Sequence, residues 1–203
     1  DWGGGTGNFA IEYAKINRDV KVTLIDSDHY SLERAEKKTH SLSNVEIVNC
    51  DIEHYDGPPA NAINMMHALY VTRSIKDPDK PDRILKNAYN KLIYSGKFYL
   101  TDIQKPLVFK IWKKYMFFNV LKMEGYNVFR TLSIFNKNNE VKKANLNIET
   151  NQRNGNFILN DSLDKCIAMV EKAGFIVTEY NNEFYNPGKF GPPIDYQVIA
   201  TKI

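Results

Sequence analysis

Asp1-Trp2-Gly3-Gly4-Gly5-Thr6-Gly7-Asn8 places three glycines, Gly3, Gly5 and Gly7, at alternate positions, with an aspartate two residues ahead and a helical pattern directly behind. That arrangement describes a strand ending in a tight turn whose backbone approaches a ligand closely. A polyphosphate cradle requires Lys-Ser/Thr after the last glycine, and here Asn8 and Phe9 follow Gly7. The dinucleotide fingerprint also fails: with Gly3 and Gly5 as its first two glycines, the third falls on Asn8. A branched, alternating segment over residues 20–25 reads as a strand and stops at Asp26. An acid about 20 residues beyond a glycine turn, at the carboxyl end of the neighbouring strand, is placed to accept hydrogen bonds from ribose hydroxyls. A third strand, residues 45–50, ends at Asp51. Three strand-terminal acids at even spacing, in register with the glycines, are hard to explain as ordinary turns.

The D-x-G-x-G-x-G string resembles the first motif of the class I S-adenosylmethionine-dependent methyltransferases, and Asp26 and Asp51 stand where that family has its second and third motifs. The resemblance implies a bound S-adenosylmethionine, released as S-adenosylhomocysteine. It places Gly3, Gly5, Thr6 and Gly7 against the methionine half of the cofactor and Asp1 near its ammonium group. Asp26 and Ser27 would meet the ribose, Asp51 the adenine amino group, and the Ile52 amide a ring nitrogen; Met65 completes the expected cofactor set.

The elements that must position these groups follow along the chain. Residues 62–66 look like a fourth strand leading to His67-Ala68-Leu69-Tyr70. Pro81 suits the first turn of a helix over residues 83–92. Ser95-Gly96 ends that helix, and residues 97–102 form a fifth strand, a passage in which the family's usual Pro-Gly-Gly is here Tyr94-Ser95-Gly96. Residues 161–173 read as a capped amphipathic helix closed by Gly174, and residues 175–180 and 196–201 as a closing antiparallel hairpin. Strands alternating with helices predict an α/β fold. With the resemblance, this becomes a Rossmann-like seven-stranded sheet flanked by helices, with the ligand outside the carboxyl ends of the strands. The central first strand would have its apolar residues ahead of Asp1, so the 203 residues are expected to be part of a longer protein whose amino-terminal segment supplies them.

One domain is expected over residues 1–203, with a core of 1–104 and 160–203 and a lid or cap insertion over about 105–159. Residues 107–123 read as a helix with a broad apolar, aromatic face opposite lysines: a packed covering helix, one whose aromatics also roof a substrate pocket, or a helix on a membrane surface. Lysine interrupts it too often for a membrane span. Residues 136–155, rich in Asn, Lys and Glu, read as a lid or exposed loop.

Methyl transfer demands alignment and exclusion of water, and a hydroxyl nucleophile also needs a base. His67, just past the fourth strand, is the candidate base; Tyr70 and Tyr115 would bound the same pocket, and Asp102 or Gln104 would hold a polar substrate atom. The Asn/Asp-Pro-Pro-aromatic sequence typical of enzymes that methylate bases or glutamine is absent, since the corresponding stretch is Asn64-Met65-Met66-His67. The formal charge of +3 demands no nucleic-acid partner, and no interleaved basic and aromatic run tracks one. The expected acceptor is therefore an O or N atom of a small molecule, a specialised metabolite or a short peptide. No metal and no membrane partner are expected. Two cysteines placed within core elements argue for a reducing, cytoplasmic setting. A nicotinamide-dependent oxidoreductase and a non-catalytic cofactor-binding scaffold are the alternatives.

Overall fold

The computed structural model describes residues 1–103, 109–137, 139–156, 162–185 and 195–203. The glycine turn opens directly into α1 (Asn8–Ile16), which buries Ala10, Ile11 and Ala14. β1 (Val22–Asp26) follows, then α2 (His29–Thr39), whose Asp28 cap accepts from the Tyr30 amide. β2 (Val45–Asn49) runs parallel to β1, with Val22 opposite Val45 and Asp26 opposite Asn49. Ala10, Ala14, Val22, Leu24, Leu32 and Ala35 form the core of this half. Small alanines on both helices let their backbones lie close to the sheet.

The second half comprises β3 (Ala60–Met66), α3 (Lys80–Lys91), β4 (Leu92–Ile103), α7 (Leu163–Lys172), β5 (Ile176–Tyr185) and β6 (Asp195–Thr201), with α4 (Phe109–Met123), α5 (Val128–Lys137) and α6 (Asn139–Arg153) between β4 and α7. Its strands lie in the order β3-β4-β6-β5. β3 and β4 are parallel, and the expected antiparallel hairpin is present as β5 and β6. Phe98 lies at the centre of the larger core, stacked on Phe175 at 4.9 Å, which in turn meets the edge of Tyr89 at 5.2 Å.

Several expectations change. Among the described residues, six strands form two sheets, of two and four, where one seven-stranded sheet was expected. Trp2 bridges them, pairing in parallel with Ile25 and donating its amide to the Asn64 carbonyl at 2.8 Å. A single paired residue is too short to count as a strand. The helix expected over residues 83–92 ends at Lys91, because Leu92 is already extended, and the fifth strand begins there rather than at Lys97. Ser95, in the left-handed region at φ +62°, bends this strand without ending it. Most of residues 136–155, read as a lid or exposed loop, belongs to α5 and α6. Val141, Ala144 and Ile148 recur at helical spacing there, a period that the asparagine-rich composition obscures. The helix over residues 163–172 is capped by Ser162, whose hydroxyl accepts from the Lys165 amide; Asp161 and Gln104 lie outside the described residues. Among the described residues, no helix is long and apolar enough to cross a membrane.

Phe98→Ala removes the ring on which Phe175 stacks. It is expected to lower stability by about 3–5 kcal/mol, read as a reduced urea midpoint with little change in slope.

Candidate functional site

The glycine turn sits at the seam between the two sheets. The Asp1 nitrogen donates to the Thr23 carbonyl, the Ile25 amide to the Asp1 carbonyl, and the amides of Gly3 and Gly4 both to the Ile25 carbonyl. Thus the turn begins as a strand neighbour of β1 and then leaves the sheet. Gly3 has φ +67°, and a Cβ there would lie 2.5 Å from the Ala68 Cβ, so both conformation and space exclude a side chain. Gly5 differs. Its φ is +53°, but the nearest atom to a Cβ would be Asp26 Oδ2 at 4.0 Å, which leaves open space above its backbone. Gly7, also left-handed, turns the chain into α1.

The three strand-terminal acids converge on this turn in different ways. Asp1 Oδ1 accepts from Asn64 Nδ2 at 2.8 Å, whereas its Oδ2 is buried and has no hydrogen-bond partner among the described residues. A buried carboxylate oxygen left in this state is costly, and an ammonium group would satisfy it. Asp26 accepts the Gly5 amide on Oδ2 at 2.7 Å and the Asp28 amide on Oδ1 at 2.8 Å. Four lone-pair sites on a carboxylate leave it able to accept two further donors, as a ribose diol requires. Asp51 accepts the Glu53 amide and holds the Lys80 ammonium at 2.5 Å. Partial burial works against its charge, but Lys80 and the Glu53 amide outweigh this and keep the carboxyl below the usual carboxylate range. These groups fit S-adenosylmethionine: a buried carboxylate oxygen without a partner near the turn, an open glycine, and two carboxylates at the β1 end and beyond β2 with acceptor capacity left.

Thr6 is half-buried and Ser27 exposed, both at the turn and the β1 end; Ile52 is nearly buried, and Met65 lies wholly within the core. Lys38 of α2 reaches back to the Thr6 carbonyl at 3.0 Å and Asn8 Oδ1 at 2.9 Å, tying the turn to the helix beside it.

His67 stands immediately beyond β3, with φ +54°, an uncommon conformation for a residue with a side chain. Its amide donates to the Thr101 carbonyl, which anchors it, and its Nε2 lies 2.9 Å from Asp195 Oδ2. The imidazole remains 42% exposed while Asp195 is 8% exposed, so the pair has a solvent side and a buried side. Partial burial disfavours the imidazolium; the hydrogen bond and charge of Asp195, with Asp102 behind it, more than offset this and raise the pKa above the ordinary imidazole value. Tyr70 is buried close to both aspartates, and burial followed by their charges raises its phenol pKa. Asp102, expected to hold a substrate atom, is wholly buried instead and has no outlet to a ligand as placed. Burial pushes its carboxyl pKa up to about 7. Tyr115 lies within α4, but its side chain is outside the described residues.

His67 and Tyr70 are therefore brought together; of the residues expected on the cofactor side, Asp1, Gly3, Gly5, Thr6 and Gly7 form the turn, Asp26 and Ser27 lie at the β1 end and Asp51 and Ile52 beyond β2, while Met65 lies in the core of β3. Asp195 was not anticipated. It directly precedes the segment read as the last strand and carried no signal beyond being an acid at a strand end. Asn64 was noted only as the remnant of a motif, yet it fastens Asp1; a polar residue within an apolar strand was the available cue.

Residues 1–96 match a family model described as a methyltransferase domain. A carboxy-S-adenosyl-L-methionine synthase from Nautilia profundicola is 26% identical over 190 residues, 90% of this chain and 72% of that protein. The ubiquinone/menaquinone biosynthesis C-methyltransferase UbiE from Haemophilus ducreyi is 28% identical over 131 residues, covering 62% of this chain and 49% of its own length, so the match spans about half of that relative. In fold, the chain is similar to the N-methyltransferase NodS from Bradyrhizobium japonicum WM9 in complex with S-adenosyl-l-homocysteine, with a TM-score of 0.58, 11% identity, and coverage of 97% of this chain and 73% of that one. The matched residues include the glycine turn and all three strand-terminal acids, and together with the shared fold this supports a class I S-adenosylmethionine-dependent methyltransferase.

Proposed function

We propose that the enzyme transfers the methyl group of S-adenosylmethionine to an O or N atom of a small molecule, a specialised metabolite or a short peptide. The observation that carries this reading is the turn itself, where the open Gly5, the buried unsatisfied Asp1 Oδ2 and the Asp26 carboxylate form one edge of a cofactor cradle. When bound, S-adenosylmethionine supplies a methyl group already activated on a sulfonium. What remains for the protein is to align the acceptor, keep out water and remove a proton where the acceptor carries one. His67, partly exposed at the end of β3, is the proton acceptor in this reading; Tyr70 forms the wall behind it, and Tyr115 belongs to the insertion over about 105–159 that covers the acceptor. Asp1, Gly3, Gly5, Thr6, Gly7, Asp26, Ser27, Asp51, Ile52 and Met65 form the cofactor side. Met65 can take part only through its backbone, since its side chain is spent on the core. The free cysteines, Cys50 half-buried and Cys166 buried, suit a reducing cytoplasmic setting. A nucleic-acid substrate is not favoured, because the mild charge is spread along the chain.

Titration calorimetry with S-adenosylmethionine and S-adenosylhomocysteine, with oxidised and reduced nicotinamides as controls, tests the cofactor side. Binding of the sulfur compounds alone is expected, with Asp26→Ala weakening it at least tenfold; binding of nicotinamides alone would overturn the reading. Gly5→Ala gives a second expectation. A Cβ there meets nothing closer than 4.0 Å, so the loss should be about 1–2 kcal/mol of stability from the left-handed backbone, while S-adenosylhomocysteine binding weakens sharply. His67→Ala should retain cofactor affinity and lose at least a hundredfold in turnover on an acceptor that must shed a proton, the usual scale for general base catalysis. Undiminished turnover would remove His67 from the reaction.

A further inference from the structure

Two carboxyl groups lie behind His67, and the methyl-transfer reading as stated gives neither a task. Asp195 opens β6, opposite Ile103 of β4, and Asp102 precedes Ile103, so the two acids are near neighbours across one antiparallel pair. Asp195 is engaged, with Oδ2 on His67 Nε2 at 2.9 Å. Asp102 is completely buried; its Oδ1 accepts the Ile103 amide, the Tyr70 amide also lies near enough to favour its charge, and its Oδ2 meets no hydrogen-bond geometry with a described residue. An ionised carboxylate with one bare buried oxygen beside a second carboxylate is energetically unfavourable, and like charges this near resist joint ionisation. The groups facing the cluster are His67 and Tyr70 after β3, Asp102 on β4, Asp195 and Tyr196 on β6, the latter opposite Asp102, and Cys166 on α7, which is hydrogen-bonded to the Tyr196 side chain and influenced by Arg73. No charged donor among the described residues meets the bare oxygen.

We propose that Asp195 is a positioning residue that holds His67 with the proton on Nε2 and Nδ1 free toward the acceptor, while Asp102 beneath the pair is kept protonated. This deepens the methyl-transfer reading and rests on it. An ionised Asp195 can only accept, so the hydrogen bond at 2.9 Å needs the proton on Nε2. Nδ1 has no partner among the described residues, and it is the nitrogen left to take a proton. When the acceptor oxygen or nitrogen forms its bond to the methyl carbon, its proton passes to Nδ1, the carbon–sulfur electron pair stays on sulfur, and the positive charge lost there reappears as imidazolium. Asp195 stabilises that imidazolium without itself being protonated. A neutral Asp102 keeps the cluster at one negative charge before the transfer and none after it. The left-handed backbone of His67, anchored by Thr101, maintains the ring in this place at some conformational cost.

Nitrogen-15 spectra of the His67 ring, followed across pH in the full chain and assigned with His67→Gln, test this without an acceptor. Wild type should show the Nε2–H tautomer when neutral and titrate above 6.5, the ordinary value; in Asp195→Asn the titration should fall below it, because burial then dominates. An Nδ1–H tautomer in wild type, or a titration unmoved in Asp195→Asn, would overturn the proposal, and the wild-type spectrum alone decides if that variant does not fold. Thermal unfolding of Asp102→Asn tests the buried proton. A carboxyl whose folded pKa is raised from 3.8 to about 7 contributes most at low pH and loses that contribution as pH rises between those values. The wild-type Tm should therefore decline relative to Asp102→Asn across that window and run parallel above it; parallel curves throughout would show Asp102 ionised and sink that part. Calorimetry with S-adenosylhomocysteine separates the two readings: a failed cofactor titration with the His67 result intact condemns methyl transfer, whereas the reverse condemns only the proton assignment.

Discussion

The structure depends on a seam one residue wide. Trp2 pairs with Ile25 on one side and gives its amide to Asn64 on the other, and through it the sheet of β1 and β2 meets the sheet of β3, β4, β6 and β5. The chain then turns out of the sheet through Gly3. The turn thus leaves the sheet between parallel strands, beside the carboxyl end of β1, and an open α/β sheet binds ligands at such a point. Trp2 itself is 3% exposed and meets Tyr55 edge-on at 5.8 Å, so the seam is packed as well as hydrogen-bonded.

Solvent exposure divides the aspartates of this end of the sheet into two kinds. Asp26 and Asp51 lie at the rim, satisfied by backbone amides and, for Asp51, by Lys80, which helps hold its carboxyl below the usual range; both retain acceptor capacity. Asp102 has the same chemistry and also lies near a strand end, yet complete burial raises its pKa to about 7. Asp195 is intermediate: largely buried, but compensated by an imidazole that reaches solvent. Identical side chains thus stand at accessible strand ends on one side of the seam and in a buried cluster with an imidazole on the other.

Much of this was legible in the chain because it rests on local patterns. Branched, alternating runs marked β1, β2, β3 and the hairpin, and the glycines marked the turn. The failures were local conflicts resolved by packing. Leu92, read as the end of a helix, extends because β4 pairs with β3 from that residue onward. The asparagine-rich insertion looked like a loop by composition, although its few apolar residues keep a helical period. Asp102 looked accessible because its strand position was right, but the depth of that position below the surface has no trace in the neighbouring residue types.

The sequence by itself determined the glycine turn and its acids, the proposed cofactor side: Asp1, Gly3, Gly5, Gly7, Asp26 and Asp51 are each specified by the turn or strand end that they occupy, and their types and spacing are local properties. Only the tertiary structure decided the proton side. His67 and Asp195 are 128 residues apart and meet at 2.9 Å, and Asp102 joins them because β4 and β6 happen to be neighbours in an antiparallel register. Which strands are adjacent, and how deeply a side chain lies beneath them, are consequences of long-range packing. A carboxyl group's charge depends on that depth more than on the residues beside it in the chain.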